Sequence, residues 1–178
     1  MSASISNLEP GTTLGGYRID GVAGQGGMGV VYRATQLGLG RAVALKVIAA
    51  EYADNVDFRN RFKAEAQVAA SIDHPNVVPI FEAGDVESVL YLAMRYVEGT
   101  DLRTLVASSQ RLDAERAVRI VWQVAGALDA AHRRGLVHRD VKPPNVLIAQ
   151  EGEEHAYLTD FGLTKLAAAS LVRPKSVR

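Results

Sequence analysis

The stretch GLVHRDVKPPNVLIA, residues 135–149, constrains the fold of this chain more than any other segment. Charged and amide side chains stand there between two apolar runs: Arg139, Asp140, Lys142 and Asn145. A charged cluster normally marks a solvated loop, but apolar runs on both sides predict buried flanks. We therefore expect a rigidly held loop that presents an acid, a base and an amide at fixed positions.

Length and composition describe an ordinary globular protein. The 178 residues are 48% hydrophobic and 22% charged, which is enough to bury a core. The formal net charge is zero, so we expect no nucleic-acid partner. The absence of cysteine excludes disulfides and thiolate metal sites. No apolar run approaches the ~20 residues of a membrane span, and the first residues lack a signal-peptide pattern, so we expect a cytoplasmic chain.

Hydrophobic periodicity predicts an α+β order, with strands first and helices later. Apolar alternation and glycine-rich turns favour three short strands, followed by a helix and two further strands. Asp113 as N-cap and Gly135 near the C-terminal end bound a second helix, and two short strands follow it. The predicted ranges are 17–24, 29–35 and 41–48 for the first strands, 57–72 for the first helix, 77–97 for the two further strands, 113–134 for the second helix, and 146–149 and 156–159 for the last strands.

The segment GQGGMGVVY fits the pattern G-x-G-x-x-G-x-V through Gly24, Gly26, Gly29 and Val31. Glycines let backbone N–H groups approach phosphate oxygens without a Cβ in the way. A dinucleotide-binding turn shares the pattern but must open a helix, whereas VVYRAT here continues as a strand. We interpret the turn as a strand–turn–strand cover for phosphate, with a plain hairpin turn as the alternative.

Lys46 interrupts an otherwise apolar strand, RAVALKVI. Taken alone, it is better interpreted as a lysine whose stem lies along a strand edge. Glu65 changes this interpretation, because it falls inside the apolar stripe of Phe58, Phe62 and Ala69 on the first helix. A carboxylate on a buried face needs a partner. We therefore expect Lys46 and Glu65 to pair, which would place the lysine to neutralise phosphates.

Together these motifs resemble the bacterial eukaryotic-like (Hanks-type) serine/threonine protein kinases. The motifs that carry the resemblance occur in the family's order: the glycine turn 24–31, AVALK ending at Lys46, Glu65, HRDVKPPN at 138–145 and DFG at 160–162. The resemblance implies a protein kinase-like fold over residues 17–165. It would have a complete N-lobe (17–97), formed by a five-stranded antiparallel sheet plus one helix, and a partial C-lobe (98–165). Residues 1–16 would be a flexible N-terminus and 166–178 a divergent tail.

The resemblance implies ATP-dependent transfer of a phosphoryl group to Ser or Thr hydroxyls of a protein substrate. Asp140 would accept or orient the hydroxyl proton, and Lys142 would steady the moving phosphoryl group. This lysine spacing is typical of serine/threonine kinases and not of tyrosine kinases. Lys46 and Glu65 would complete the catalytic set. Asn145 and Asp160 would hold Mg²⁺, a hard cation that prefers oxygen ligands.

The resemblance also implies an ATP site. In the hinge LAMRYVEGTDL, Met94 would be the gatekeeper, the backbone of Arg95 and Val97 would bond the adenine, and Asp101 would contact the ribose. Apolar residues would sandwich the base, although core packing is the alternative for them. The full implied set is Gly24, Gln25, Gly26, Gly27, Met28, Gly29, Val31, Ala44, Lys46, Met94, Arg95, Val97, Asp101 and Leu147.

After DFGLTK the chain reads LAAASLVRPKSVR, with no APE-like motif. The resemblance therefore predicts an incomplete C-lobe, which would leave a face of the 113–134 helix with Val121, Val124 and Leu128 uncovered. Such a face invites aggregation or a partner. A second function is then a catalytically silent ATP-binding or interaction module. Intact Lys46 and Asp140 favour the enzyme, whereas the missing helices favour the module.

Overall fold

The structure is a computed structural model that describes residues 8–26, 28–109, 111–150 and 154–161. It confirms the α+β order, with strands first and the longest helix later. The elements in chain order are β1 (Thr13–Leu14), β2 (Tyr17–Gly26), β3 (Gly29–Gln36), β4 (Arg41–Ile48), α1 (Ala50–Ala53), α2 (Val56–Ala70), β5 (Ile80–Val86), β6 (Val89–Arg95), β7 (Gly99–Asp101), α3 (Leu102–Ser109), α4 (Ala114–Arg133), a 3-10 turn (Pro143–Asn145), β8 (Val146–Ala149) and β9 (His155–Leu158).

The N-lobe sheet has six antiparallel strands in the order β1-β2-β3-β4-β6-β5. The prediction of five strands and one helix for the N-lobe therefore missed strand β1 and helix α1. Both elements are too brief for periodicity to reveal, with two and four residues. Leu14 of β1 is nonetheless buried and pairs with Tyr17, so ordered structure begins before the predicted boundary at residue 17.

The sheet curls so that β2 contacts β5 and β6 near the opposite edge. The rings of Tyr17 on β2 and Tyr91 on β6 lie edge to face with centroids 5.8 Å apart. Both hydroxyls donate to Glu82 on β5, at 2.7 Å and 2.8 Å. Burial and this carboxylate raise the pKa of Tyr91 to about 12, so it stays a protonated donor. Gly84 leaves room for the ring, since a Cβ there would lie 1.9 Å from Tyr91 Cζ.

Helix α2 packs its apolar face against the sheet, as predicted from its stripe. Phe58 and Phe62 are fully buried in one cluster with residues of β4 and β6. The side chain of Asn55 caps the helix by accepting from the Phe58 N–H at 2.9 Å. The position of α2 under the sheet decides where Glu65 can reach.

The C-lobe combines a three-stranded sheet, β7-β8-β9, with helices α3 and α4. The predicted cap of α4 is confirmed, because the Asp113 side chain accepts from the Arg116 N–H at 2.8 Å. Gly135 follows the helix with φ +73°, a conformation that favours glycine. Strand β7 and helix α3 were not predicted, because EGTDL reads as a polar loop and α3 buries none of its residues.

A buried amide joins the loop after α2 to the C-lobe. Asn76 is 8% exposed, and its Nδ2 donates to Gln123 Oε1 and to the Ala156 carbonyl, both at 2.9 Å. The backbone continues the connection, since Leu158 N–H donates to the Asn76 carbonyl and Val78 N–H donates to the Leu158 carbonyl. Hydrogen bonds beside the cleft therefore connect the two lobes, in addition to the hinge.

One face of α4 stays apolar and open. Val121 and Trp122 are 65% and 80% exposed, and nothing in the described part of the chain covers them. The predicted uncovered face is therefore right for Val121. It is wrong for Val124 and Leu128, which are partly buried and pack against the C-lobe core. None of the helices within the described ranges is both long and apolar enough to cross a bilayer.

The closure of the curled sheet is testable through Glu82. We expect Glu82→Ala to lower the free energy of unfolding by about 1–3 kcal/mol, because two buried tyrosine hydroxyls lose their acceptor. Urea denaturation followed by circular dichroism measures the change. Glu9→Ala is the matched control, since Glu9 is exposed, and it should change stability by less than about 0.5 kcal/mol. Equal effects of the two substitutions would contradict the assignment.

Candidate active site

A cavity of about 640 Å³ lies between the two lobes. With two exceptions, every residue predicted for the site lines it. Glu65 does not line it, and Gly27 lies outside the described residues. The cavity also takes residues that the predicted site set did not include, mostly neighbours of predicted ones in sequence: Ala23, Tyr96, Gly99, Thr100, Arg103, Pro144 and Thr159.

The glycine turn joins β2 to β3 and opens no helix, so the dinucleotide-binding interpretation is excluded. Its glycines differ in what requires them. A Cβ on Gly29 would lie 1.9 Å from the Val47 carbonyl oxygen, and its φ is +144°, so this glycine is needed for packing against β4. Gly24 and Gly26 have nothing within 4 Å of an added Cβ. Their backbone is open to a ligand in the cavity.

Lys46 is 7% exposed on β4, and its Nζ lies 2.8 Å from Asp160 Oδ1. The predicted pair with Glu65 is therefore wrong in this structure. Asp160 stands two residues after β9 with φ +64°, which brings its carboxylate to the lysine. A buried ammonium group needs an opposite charge, and the residue that supplies it comes from the other lobe.

Glu65 instead faces the loop of residues 138–145. Its Oε1 lies 3.9 Å from Arg139 Nη1, and its Oε2 is buried without a hydrogen-bond partner among the described residues. Burial raises the pKa of this carboxyl above its ordinary value, and the Arg139 charge opposes the shift without cancelling it. The helix periodicity correctly placed Glu65 toward the interior. It could not show which of two cations, Lys46 or Arg139, the rotation of α2 would bring closer.

The loop of residues 138–145 holds its own side chains in place. Lys142 Nζ lies 2.8 Å from Asp140 Oδ2. The Asn145 amide nitrogen donates to the Asp140 carbonyl at 2.8 Å and to Asp140 Oδ2 at 3.1 Å. The Thr159 N–H donates to the Asn145 carbonyl at 3.0 Å, which fastens the loop to the segment before Asp160. The polar cluster is therefore fixed by hydrogen bonds as well as by the buried side chains of Leu136, Val146 and Ile148 beside it. The expectation of buried flanks is wrong for Val137, which is 50% exposed.

His138 supports the loop from beneath. It is 1% exposed, its Nδ1 accepts from the Asp140 N–H at 3.2 Å, and its ring centroid lies 4.7 Å from that of Phe161. Because Nδ1 accepts, the ring proton is on Nε2, which donates to the Thr159 carbonyl at 2.8 Å. Burial lowers the pKa of His138, so the ring is neutral near pH 7. Its burial and its neutral ring are those of a packing residue.

Met94, Arg95 and Val97 of the hinge line the cavity. Met94 is buried, and the Arg95 N–H is committed to the Pro79 carbonyl at 2.9 Å. Asp101 caps α3, since its Oδ1 accepts from the Thr104 N–H at 2.9 Å and its Oδ2 accepts from Thr104 Oγ1 at 3.0 Å. A ribose contact by Asp101 would share a carboxylate that already has a structural role.

The donor chemistry of the cavity fits Mg²⁺ held together with a nucleotide. Asn145 uses its amide nitrogen within the loop, which leaves its oxygen for another partner, and Asp160 supplies a carboxylate. In the described ranges no three His, Cys, Asp or Glu residues are grouped closely enough to hold a metal themselves. Mg²⁺ commonly takes one or two protein ligands and completes its shell with phosphate and water. Asn145 and Asp160 meet that requirement.

A glycine hairpin, a buried lysine and the Asp140 loop around one cleft between two lobes define a domain of the protein kinase type. Residues 17–175 match the family described as the protein kinase domain. This chain belongs to that family, and the predicted fold class and resemblance are confirmed. The match extends into 166–178, the segment set apart as a divergent tail, which lies outside the described residues.

Several similar proteins are mycobacterial. Serine/threonine-protein kinase PknJ of Mycobacterium tuberculosis is 44% identical over 160 residues, which cover 89% of this chain and 27% of PknJ. PknD of the same species is 43% identical over 168 residues, or 94% of this chain and 25% of PknD. The crystal structure of the M. tuberculosis PknI kinase domain has a TM-score of 0.80 and 36% identity, over 92% of this chain and 69% of that one. This chain thus spans about a quarter of the length of the curated relatives.

The pKa of Glu65 gives a prediction with a defined sign. Because burial raises the folded-state pKa above its ordinary value of 4.5, the folded chain holds this proton to higher pH than the unfolded chain. Ionised Glu65 therefore lowers stability above that pH. We expect Glu65→Gln to be more stable than the wild type at pH 7, with the difference shrinking as the pH falls toward 4.5.

Urea denaturation at several pH values measures this difference. Glu115→Gln is the control, since Glu115 is 86% exposed and pairs with Arg119 on the surface, so its effect should stay below about 0.5 kcal/mol. A Glu65→Gln variant less stable than the wild type at pH 7 would show that the Arg139 contact outweighs the burial cost.

Proposed function

We propose that this chain carries the ATP site and catalytic loop of a serine/threonine protein kinase, which transfers the γ-phosphoryl group of ATP to Ser or Thr hydroxyls of a protein substrate. One observation carries the proposal. A single cavity brings together Lys46 from the N-lobe with Asp140, Lys142, Asn145 and Asp160 from the C-lobe. We place the reaction in the cytoplasm, where ATP is available.

The chain's own groups divide the work of phosphoryl transfer, which depends mainly on positioning and charge stabilisation. ATP bound with Mg²⁺ would supply the phosphoryl group and the charge of the ion. Open backbone at Gly24 and Gly26 can donate N–H groups to phosphate oxygens, and Lys46 can offset their charge. Asn145 and Asp160 offer the oxygen atoms for the ion.

Asp140 receives the proton that the acceptor hydroxyl loses as its oxygen bonds to the γ-phosphorus. The bond from that phosphorus to the bridging oxygen breaks in the same transfer, and ADP leaves. The Asn145 amide holds the Asp140 carboxylate in position, and the backbone of Asp140 is fixed by His138. Lys142, which is 2.8 Å from Asp140, stands where it can balance negative charge on the transferred group. Asp140, Lys142 and Asn145 can take these roles because all three line the cavity.

A second candidate is a catalytically silent ATP-binding or interaction module. The observation that favours it is open apolar surface on the loop and on α4. Val137 and Val141 are 50% and 52% exposed, and Val121 and Trp122 of α4 are also exposed. A partner on this surface would account for it, and a loop without that support would hold Asp140 less accurately. A displacement of about 1 Å can cost on the order of 100-fold in rate.

The role of Lys46 is testable by nucleotide affinity. We expect Lys46→Met to weaken a fluorescent ATP analogue by about 10- to 150-fold, because one charge-assisted contact worth about 1.5–3 kcal/mol is lost. Lys63→Met is the control, because Lys63 pairs with Asp85 away from the cavity and its loss should leave affinity unchanged. Unchanged affinity in Lys46→Met would show that Lys46 is only a structural lysine.

Two assays distinguish the role of Asp140 from that of Asp160. We expect Asp140→Asn to leave nucleotide affinity nearly intact while abolishing transfer of radiolabelled phosphate to a generic substrate such as myelin basic protein. Asp160→Asn should instead weaken the Mg²⁺ dependence of nucleotide binding, as calorimetry at several Mg²⁺ concentrations would show. Identical behaviour of the two variants would contradict the division into base and metal ligand. Nucleotide binding by the wild type without any Asp140-dependent transfer would favour the silent module.

A further inference from the structure

We propose that Arg33 is a positioning residue for the nucleotide, because it holds the hinge in the conformation that receives the adenine of ATP. This inference rests on the proposed function, since it requires ATP to bind with its adenine against the hinge. Arg33 lies on β3 and was not among the residues predicted for the site. It does not line the cavity, so it acts on the nucleotide only through the hinge residues that it contacts.

Residues 96–98 of the hinge join β6 of the N-lobe to β7 of the C-lobe, and Arg33 contacts this segment at two points. Its guanidinium carbon lies 5.0 Å from the centroid of the Tyr96 ring, which is a cation–π contact. Its Nη2 lies 3.7 Å from Glu98 Oε1. Tyr96 and Val97 both line the cavity. One side chain of the N-lobe sheet therefore braces the part of the hinge that borders the cavity.

The C-lobe holds the end of the same segment. The N–H of Gln150, directly after β8, donates to the Glu98 carbonyl at 3.1 Å. Gly99 pairs with Ala149 on β8, and a Cβ on Gly99 would lie 2.0 Å from the Ile148 carbonyl oxygen. Glu98 is thus fixed to the C-lobe through its backbone and to β3 of the N-lobe through its carboxylate.

The two contacts of Arg33 lie at the surface, since its side chain is 50% exposed and that of Glu98 is 60% exposed. Such contacts contribute little to the stability of the whole fold. They matter for binding because a ligand that docks on an ordered backbone avoids the entropy cost of ordering it. An exposed ion pair and an exposed cation–π contact together correspond to about 3- to 30-fold in affinity.

Nucleotide competition tests the proposal without requiring catalysis. Adenosine and Mg·ATP each displace a fluorescent ATP analogue, and the titrations give their dissociation constants. We expect Arg33→Met to weaken both ligands by the same factor, about 3- to 30-fold, because both carry the adenine. Arg33→Lys should recover most of the affinity, since lysine also pairs with a carboxylate and with an aromatic ring.

A matched control separates positioning of the hinge from general loosening of the sheet. Arg18 lies on the neighbouring strand β2, is also 50% exposed and pairs with Asp20 of its own strand at 3.3 Å. Arg18→Met should therefore leave the affinity for both ligands unchanged. Glu98→Ala tests the same contact from the hinge side. Combined with Arg33→Met, it should weaken binding by less than the product of the single effects, because both substitutions remove one shared contact.

Three results would overturn the proposal: unchanged affinity for both ligands in Arg33→Met, a loss for ATP but not for adenosine, or an equal loss in Arg18→Met. The second would place the guanidinium group on the phosphates, and the third would show general loosening of the sheet. Failure of the proposed function has a separate signature, which is absent binding of the ATP analogue to the wild type. That result would overturn this inference as well.

Discussion

The ion pair between Lys46 and Asp160 is the constraint on which the cleft depends. Lys46 is almost fully buried on β4, and a buried charge without a partner would cost several kcal/mol. Its partner comes from the segment after β9 in the other lobe, at 2.8 Å. The pair therefore fixes the distance between the two lobes, and with it the width of the cavity that holds the remaining charged groups.

The consequences of this pair extend to α2 and to the loop of residues 138–145. With Lys46 committed to Asp160, Glu65 is left with Arg139 at 3.9 Å and one buried oxygen without a hydrogen bond among the described residues. The Arg139 charge does not offset the effect of burial, which raises the pKa of Glu65. Asp160 is in turn held close to the loop, because the adjacent Thr159 bonds both His138 and Asn145. The N-lobe charge, the metal-ligand candidates and the Asp140 loop are thus parts of one network.

The sequence was sufficient to predict those features of the fold that depend on local pattern. It predicted the long strands, the apolar stripe of α2, the two ends of α4 and the short strands β8 and β9. It missed the elements β1, α1, β7 and α3. The cavity residues were predicted mainly through the resemblance to protein kinases. Reasoning from the residues alone pointed to Lys46 and to the charged cluster at 138–145, because a charged side chain within an apolar run is costly to bury unless a partner or a ligand meets it. It failed where an outcome depended on distance between elements: the partner of Lys46, the burial of Val124 and Leu128, and the presence of Arg103 at the cavity. A periodicity gives the face of a helix, but not its rotation against a second lobe.

A double-mutant cycle on Lys46 and Asp160 measures whether this ion pair joins the lobes. The free energies of unfolding of the wild type, Lys46→Met, Asp160→Asn and the double variant would be determined by urea denaturation under identical conditions. If the pair acts as described, the double variant should be less destabilised than the sum of the single variants, with a coupling energy of about 0.5–3 kcal/mol. Single effects that add within about 0.3–0.5 kcal/mol would contradict this role, because the two side chains would then act independently.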